Sequence, residues 1–429
     1  MRWSGRRSAG WLLAALTTVV VSIGASVLWL NLRGETPLPS DPDTAPAVAA
    51  AAAVIQRGAY LARAGNCVGC HTAPGGTPFA GGRGVETPFG TVFAPNITPD
   101  PETGIGAWTA GEFWRAMHHG RSRDGRLLYP AFPYPSFTQV TREDVDALYA
   151  FLRSVTAVAQ ANKPHSLRFP YSTQAALALW RALYFRAGGF RPEASRGAEW
   201  NRGKYLVQGL GHCAACHSGR DWLGGTDRNT EFGGGLMPDA TWYAPSLATP
   251  RESGLQGWAI DEAVNLLKDG VSAHASVSGP MADVVFSSTQ FLTDKDLDSM
   301  ARYLASIPIR EHEPAAVTPA AHEILARGGQ VYRDSCASCH GDNGEGVAGI
   351  YPALAGNRAV TLRLHNNVVQ MIRLGGFLPT TAGNPRPFGM PPFGQQLDHA
   401  DIAAVASYIR QSWGNAAPAV SALDVLRVK

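Results

Sequence analysis

Three short stretches limit what this chain can become: "GNCVGCHTA" around Cys67, "GHCAACHSG" around Cys213 and "DSCASCHGDNGEG" from Asp334 to Gly346. Each places two cysteines three positions apart, with a histidine directly after the second. Together they use Cys67, Cys70, Cys213, Cys216, Cys336 and Cys339, which are all six cysteines of the chain. On one helical turn residues i and i+3 face the same way, so both thiols can reach the two vinyl groups of one porphyrin. The histidine at i+4 then points its imidazole at the iron. Other uses of such a pair fit less well. A structural zinc site needs four ligands, commonly two pairs close together, whereas these pairs lie far apart and each sits inside its own repeat. A thioredoxin-like redox pair requires neither the histidine nor three copies. Disulfides between motifs, possible outside the cytoplasm, leave the histidine unexplained. The pattern is a c-type haem attachment signal, so we expect three covalently bound haem c groups with proximal ligands His71, His217 and His340.

The motifs recur in register with a longer repeat, which sets the organisation before any element is assigned. Their lead-ins are related: "RGAYLARAGNC" from Arg57, "RGKYLVQGLGHC" from Arg202 and "RGGQVYRDSC" from Arg327. Each unit closes with an amphipathic stretch, "DALYAFLRS", "DSMARYLAS" or "AVASYIRQS". Aligning these puts Phe151, Tyr303 and Tyr408 at one position and Leu152, Leu304 and Ile409 at the next. Apolar residues three and four apart fit helices with one buried face. The first two units also match between their ends without a gap, "APNITPDPETGIGAWTAGEFWRAMHHG" from Ala94 against "APSLATPRESGLQGWAIDEAVNLLKDG" from Ala244, as a duplication would leave them. We expect a membrane or signal segment at 1–35, a Pro/Ala-rich linker at 36–50, and domains at 51–160, 190–310 and 318–415. A connecting helix at 161–189, with Trp180 and Tyr184 on its faces, joins the first two domains, and a tail occupies 416–429.

What binds the opposite face of each iron matters, because a methionine–histidine pair raises the reduction potential. Met390 sits in the Pro/Gly-rich "FGMPPFG" shortly before the last closing helix, and Met281 holds the equivalent loop place in "SGPMADVVF". Both are expected as sixth ligands, whereas Met300 and Met371 fall on helical stretches and fit a core role. The first unit departs from this pattern. Its matching loop, "LYPAFPYPSF", carries Phe132 where a methionine is expected. Its one methionine, Met117, aligns with Leu267. The candidates there are Met117, His118 or His119, or an open iron. The other histidines share no spacing and are expected in ordinary surface or hydrogen-bonding roles. "GDNGEG" after His340 reads as a glycine-permitted turn, and the basic "GRSRDGR" as a solvated loop.

Arg2, Arg6 and Arg7 precede an apolar run from Ala9 to Leu32. That run exceeds the roughly 7–15 residues of a signal-peptide core and approaches the roughly 20 that cross a bilayer as a helix. Basic residues on its N-terminal side keep the start cytoplasmic and export the rest. An uncleaved anchor is favoured over cleavage near Ser22-Ile23-Gly24. A net charge of +3 without a dense Lys/Arg cluster gives no reason to expect a nucleic-acid partner.

With these motifs in hand, the chain resembles the three-haem cytochrome c subunits of bacterial membrane-bound alcohol, gluconate/sorbitol and aldehyde dehydrogenase complexes. The resemblance rests on "RGAYLARAGNCVGCHTA", "FAPNITPDPETGIG", "DGRLLYPAFPYPSF", "GHCAACHSG", "GPMADVVFSSTQ", "YPALAGN" and "QSWGNAAPAVSA", and covers nearly everything after the linker. It implies three tandem cytochrome-c-like domains on the periplasmic side of the inner membrane. It also implies an electron path from a catalytic subunit to ubiquinone or another respiratory acceptor, with Met281 and Met390 as sixth ligands. The partner carries flavin, a quinone cofactor or molybdenum. Several members have methionine where this chain has Phe132, and the alcohol dehydrogenase version has a longer C-terminal extension, whose role in membrane attachment we expect the N-terminal helix to take. Two rival readings are a haem enzyme, such as a peroxidase or reductase, working at an open first iron, and a free-standing electron shuttle.

Overall fold

The computed structural model describes residues 4–35, 51–226, 230–273, 275–310 and 317–428; the linker at 36–50, His274 and His312 lie outside them. Three times the chain builds a lead helix and returns a closing helix across it. The lead helices are Ala52–Ala64, Ala198–Tyr205 and His322–Ser335. The closing helices are Arg142–Ser154, Asp294–Ala305 and His399–Gln411. Each closing helix starts where the side chain of Thr141, Thr293 or Asp398 accepts a backbone N–H three residues on, from Asp144, Asp296 or Asp401. That contact satisfies one of the unpaired donors of a first helical turn. The pairs cross at Gly58, Gly203 and Gly328. A Cβ on any of them would overlap the carbonyl oxygen of Ala147, Ser299 or Ala404, and would also press on the Cβ of Phe151, Tyr303 or Tyr408. Glycine is what lets the two backbones approach so closely. The arginine before each glycine pairs with the closing helix: Arg57 with Asp144, Arg202 with Asp296 and Arg327 with Asp401.

The first two units are tied by a reciprocal exchange. The Tyr60 hydroxyl of the first donates to Asp296 of the second at 2.6 Å, and the Tyr205 hydroxyl of the second donates to Asp144 of the first at 2.6 Å. These units share one continuous apolar cluster that runs from Leu61 through Leu148, Leu206 and Leu210 to Leu304. The third unit has Gln330 at the tyrosine position, where it turns to Asp334 of its own helix, and it packs around a separate cluster that includes Tyr332, Val369, Ile402 and Ile409.

The last residues, expected only as a tail, form a short helix, Ala422–Arg427, with Val425 and Val428 buried against the third unit's core. Arg410, 1% exposed, fixes this arrangement by donating to the carbonyls of Val360, Leu362 and Pro418. The connecting helix spans Gln174–Tyr184 and buries Leu177 and Arg181. Its Trp180 and Tyr184 bond to Leu223 and Asp221 of the second unit. The segment before it adds Ser166–Leu167 as a third antiparallel strand to the hairpin Gly84–Thr87/Gly90–Phe93 of the first unit. The N-terminal helix runs Ser4–Leu32, and its segment Trp11–Leu32 is long and apolar enough to cross a membrane.

Candidate functional site

In all three motifs the histidine is held over its cysteines by helical hydrogen bonding. His71 N–H donates to the Cys67 carbonyl, His217 to Cys213 and His340 to Cys336, at 2.9, 2.9 and 3.0 Å. Both thiols and the imidazole therefore belong to a single turn, as the spacing predicts. In the first two units this turn begins from a residue in the left-handed region, Asn66 at φ 48° and His212 at φ 37°, which starts a new helical direction at the motif. In the third unit the lead helix runs to Ser335 and the turn Ala337–His340 follows at once.

One feature of these sites does not follow from Cys-x-x-Cys-His alone. The Nδ1 of His71 donates to the carbonyl of Pro95 at 2.8 Å, that of His217 to Pro245 at 2.7 Å, and that of His340 to Pro352 at 3.0 Å. A proton committed to Nδ1 leaves Nε2 as the lone-pair nitrogen, and the bond sets the ring plane; metal-ligating histidines are oriented in this way. Burial lowers the pKa of all three rings, against the opposing pull of the proline carbonyl, and so favours the neutral imidazole that binds iron. Burial also pushes the thiols of Cys67 and Cys213 up to about 12 and that of Cys336 up to about 11. Such surroundings suit a thioether better than a thiolate.

The second unit encloses an apolar cavity beside its motif. Cys213, Cys216 and His217 line it together with Met281, among walls such as Leu206, Leu255, Leu267, Val284, Leu292 and Leu304. An apolar hollow with two thiols, a neutral imidazole and a thioether is a donor set that fits a covalently held haem. The expected loop place of Met281 is in fact the first turn of a helix, Pro280–Ser287. Gly279 at φ 52° and Pro280 start that helix, since proline supplies the φ of a first turn without losing a needed N–H. Met237, between the short strands Gly235–Leu236 and Tyr243–Ala244, also reaches the cavity. The walls are not the second unit's alone. Ala64 and Asn66 come from the first unit, and Ala359, Leu362 and Asn367 from the third. The Ser287 hydroxyl meets the Asn66 side chain at 2.8 Å. Burial raises the Cys216 thiol, opposed by Arg220 and reinforced by Cys70 of the first motif.

In the third unit Met390 lies on the strand Gly389–Met390, paired with Gly376–Phe377, and is half-buried in the same apolar cluster as Cys336. In the first unit Met117 is buried on the helix Ala110–His119, in one cluster with Cys67 and Phe132. Its counterpart Leu267 lines the second cavity as a wall. Phe132 stands edge-on to Phe137 with ring centres 5.3 Å apart. His118 stacks on Trp114 at 4.3 Å, and the buried His119 accepts a bond from Arg181 at its carbonyl. The "GDNGEG" segment is a turn with Gly341, Gly344 and Gly346 at positive φ, and its Gly346 N–H donates to the His340 carbonyl. Within "GRSRDGR", Arg121 pairs with Glu35 beside the N-terminal helix. The proline carbonyls and the cross-unit walls lie beyond what the Cys-x-x-Cys-His pattern indicates. A proline follows each motif within an aligned segment, "FAPNIT", "YAPSLA" or "YPALAG", and that recurrence was the available signal.

Comparison with known proteins agrees with this geometry. The cytochrome c family model matches residues 55–156 and 325–413. The chain is 40% identical over 420 residues to the cytochrome c subunit of alcohol dehydrogenase (quinone) from Gluconacetobacter polyoxogenes, covering 93% of this chain and 88% of that one. It is 38% identical over 400 residues to the gluconate 2-dehydrogenase cytochrome c subunit of Pantoea cypripedii, covering 88% and 90%. It is 33% identical over 445 residues to the fructose dehydrogenase cytochrome subunit of Gluconobacter japonicus, covering 97% and 88%. With haem-type turns, oriented imidazoles and similarity that extends over nearly the whole of both chains, the protein belongs to the cytochrome c subunits of dehydrogenase complexes.

Proposed function

We propose that this chain is a triheme electron-transfer subunit of a membrane-bound dehydrogenase, placed on the periplasmic side of the bacterial inner membrane. Cys67 and Cys70, Cys213 and Cys216, and Cys336 and Cys339 each hold one haem c. His71, His217 and His340 are the proximal ligands. Met281 and Met390 are the sixth ligands of the second and third haems, and Met117 is that of the first. Bound haem iron supplies one-electron reduction and oxidation, tuned by axial ligand, burial and hydrogen bonding. The chain's own part is to orient each imidazole through a proline carbonyl, to keep water from the iron with apolar walls, and to set the sites against one another. Because residues of both other units wall the second cavity, the second site is the junction of the three. Electrons come from a catalytic partner of flavin, quinone-cofactor or molybdenum type that oxidises an alcohol, aldehyde or sugar acid, and leave for ubiquinone or another respiratory acceptor.

The observation that carries this reading is the histidine-to-proline bond, repeated in all three units on the same Cys-x-x-Cys-His turn. Haem quantitation together with intact mass tests it. Three haems per chain are expected, and fewer would overturn the triheme assignment. Membrane extracts should yield the chain together with a larger cofactor-bearing subunit whose substrate reduces it, and purification alone would favour the free shuttle.

A further inference from the structure

The N-terminal helix does not merely precede the cytochrome body; its last turn is built into it. Asn31, 7% exposed, donates from its side-chain amide to the Ala178 carbonyl at 2.8 Å and accepts from Arg181 Nε at 2.9 Å. Arg181 is buried and faces no carboxylate in these contacts. Its guanidinium also donates to the His119 carbonyl and lies over the rings of Tyr134 and Phe185, 5.3 and 4.7 Å from their centres. One turn further on, Arg121 holds Glu35 at 2.7 Å and reaches the Asn31 carbonyl at 3.3 Å. Removal of the chain through residue 31 or beyond would strip this cation site of a partner, so the site is built for a chain that keeps the last turn of this helix.

The contact also fixes a height. Asn31 is the penultimate residue of the helix, so the middle of the connecting helix Gln174–Tyr184 touches the end of the apolar span. On the side of the connecting helix away from its buried Leu177 and Arg181, Leu179 and Leu183 stand one turn apart and exposed. Trp222, 81% exposed, sits in the loop bonded to Trp180 and Tyr184 of the same helix. Leucines flanked by a tryptophan, level with the end of a spanning helix, match the composition of a membrane–water boundary.

We propose that the N-terminal helix is retained in the mature protein and latched through Asn31 and Glu35 to Arg181 and Arg121, so that Leu179, Leu183 and Trp222 rest in the lipid headgroup layer. The cytochrome body is thereby held at one attitude to the membrane. This rests on the membrane placement proposed above, and the test separates the two. The full holoprotein is extracted from membranes and its intact mass measured; loss of residues 1–24 or more would sink both. Retained protein is then placed in phospholipid nanodiscs with a nitroxide at Leu183→Cys or, as a control on the third unit, at Leu423→Cys. Collision rates with oxygen and with a water-soluble nickel chelate are compared. The oxygen-to-nickel ratio at position 183 should exceed that at 423 several-fold, and it should fall toward the control in an Asn31→Ala, Glu35→Gln background. A ratio equal to the control, or one that rises only when the catalytic partner is added, overturns lipid contact. A high ratio unchanged in the latch variant overturns the latch.

Discussion

The two reciprocal tyrosine bonds look equivalent, yet removing their hydroxyls should cost different amounts. In Tyr205→Phe, Asp144 loses the bond to its Oδ2, while Arg57 stays at Oδ1. The Asp144 side chain is 2% exposed, so water cannot replace the missing donor, and the Thr141 N–H loses its acceptor as well. In Tyr60→Phe, Asp296 Oδ2 keeps Arg202 Nη2 at 2.8 Å, and the orphaned Thr293 N–H is exposed. Hydrogen bonds to charged groups contribute about 1.5–3 kcal/mol, and a buried charged group left short of a partner sits at the upper end. We therefore expect about 3 kcal/mol for Tyr205→Phe and about 1 kcal/mol for Tyr60→Phe. The first two units share one core and should melt together, and a cooperative unit of their size shifts by roughly 2–4 °C per kcal/mol. Scanning calorimetry of the holoprotein should then show that transition lowered by about 6–12 °C in the first variant and about 2–4 °C in the second, with the third unit's transition and the haem spectra unchanged. Equal shifts, or the larger one in Tyr60→Phe, would refute the accounting by remaining partners.

Further outcomes follow from other contacts. Gly328→Ala drives a Cβ into the Ala404 carbonyl and should cost about 1–3 kcal/mol as overpacking, whereas Gly209→Ala, whose nearest new neighbour is a Val140 methyl at 3.8 Å, should leave the melting profile unchanged. For Asp296, burial raises the carboxyl pKa, but the Arg202 and Tyr60 hydrogen bonds outweigh it and the net shift is downward. The sign is that of a depressed acid: its contribution is complete above the ordinary carboxylate range and is lost as pH falls through the lower folded value, so acid titration of stability should be shallower at its low end in Asp296→Asn. Met281→Ala and Met390→Ala should each lower the potential of one haem and let carbon monoxide bind there once reduced, as expected on loss of a thioether ligand. In the parent protein, carbon monoxide binding confined to one haem would mark the first iron as open, and no binding at all would count against a haem enzyme.

Much of the candidate site was legible in the sequence because the proposed haem attachment needs particular atoms at particular spacing. Cysteine sulfur at i and i+3 and imidazole at i+4 cannot be replaced by residues of similar size. The glycine crossings were legible for a related reason: the "RG" of each lead-in and the aligned Phe151, Tyr303 and Tyr408 are the residues that meet where the helices cross. The carbonyls of Pro95, Pro245 and Pro352 were not, because any residue has a carbonyl and only the chain path decides which one faces the ring. Met281 was expected in a loop and sits on a helix, because the left-handed Gly279 and Pro280 begin one there.

Side-chain chemistry tied to short spacing thus identified the three Cys-x-x-Cys-His turns, the helix pairs and the apolar N-terminal span directly, since each depends on residues within a few positions of one another. The merger of the first two units into a single core, the second cavity bounded by residues from the other two, and the seating of Asn31 on Arg181 emerged only in three dimensions. These contacts join residues more than a hundred positions apart. Their partners are ordinary tyrosines, asparagines and arginines, which become specific only when folding places them face to face and out of reach of water.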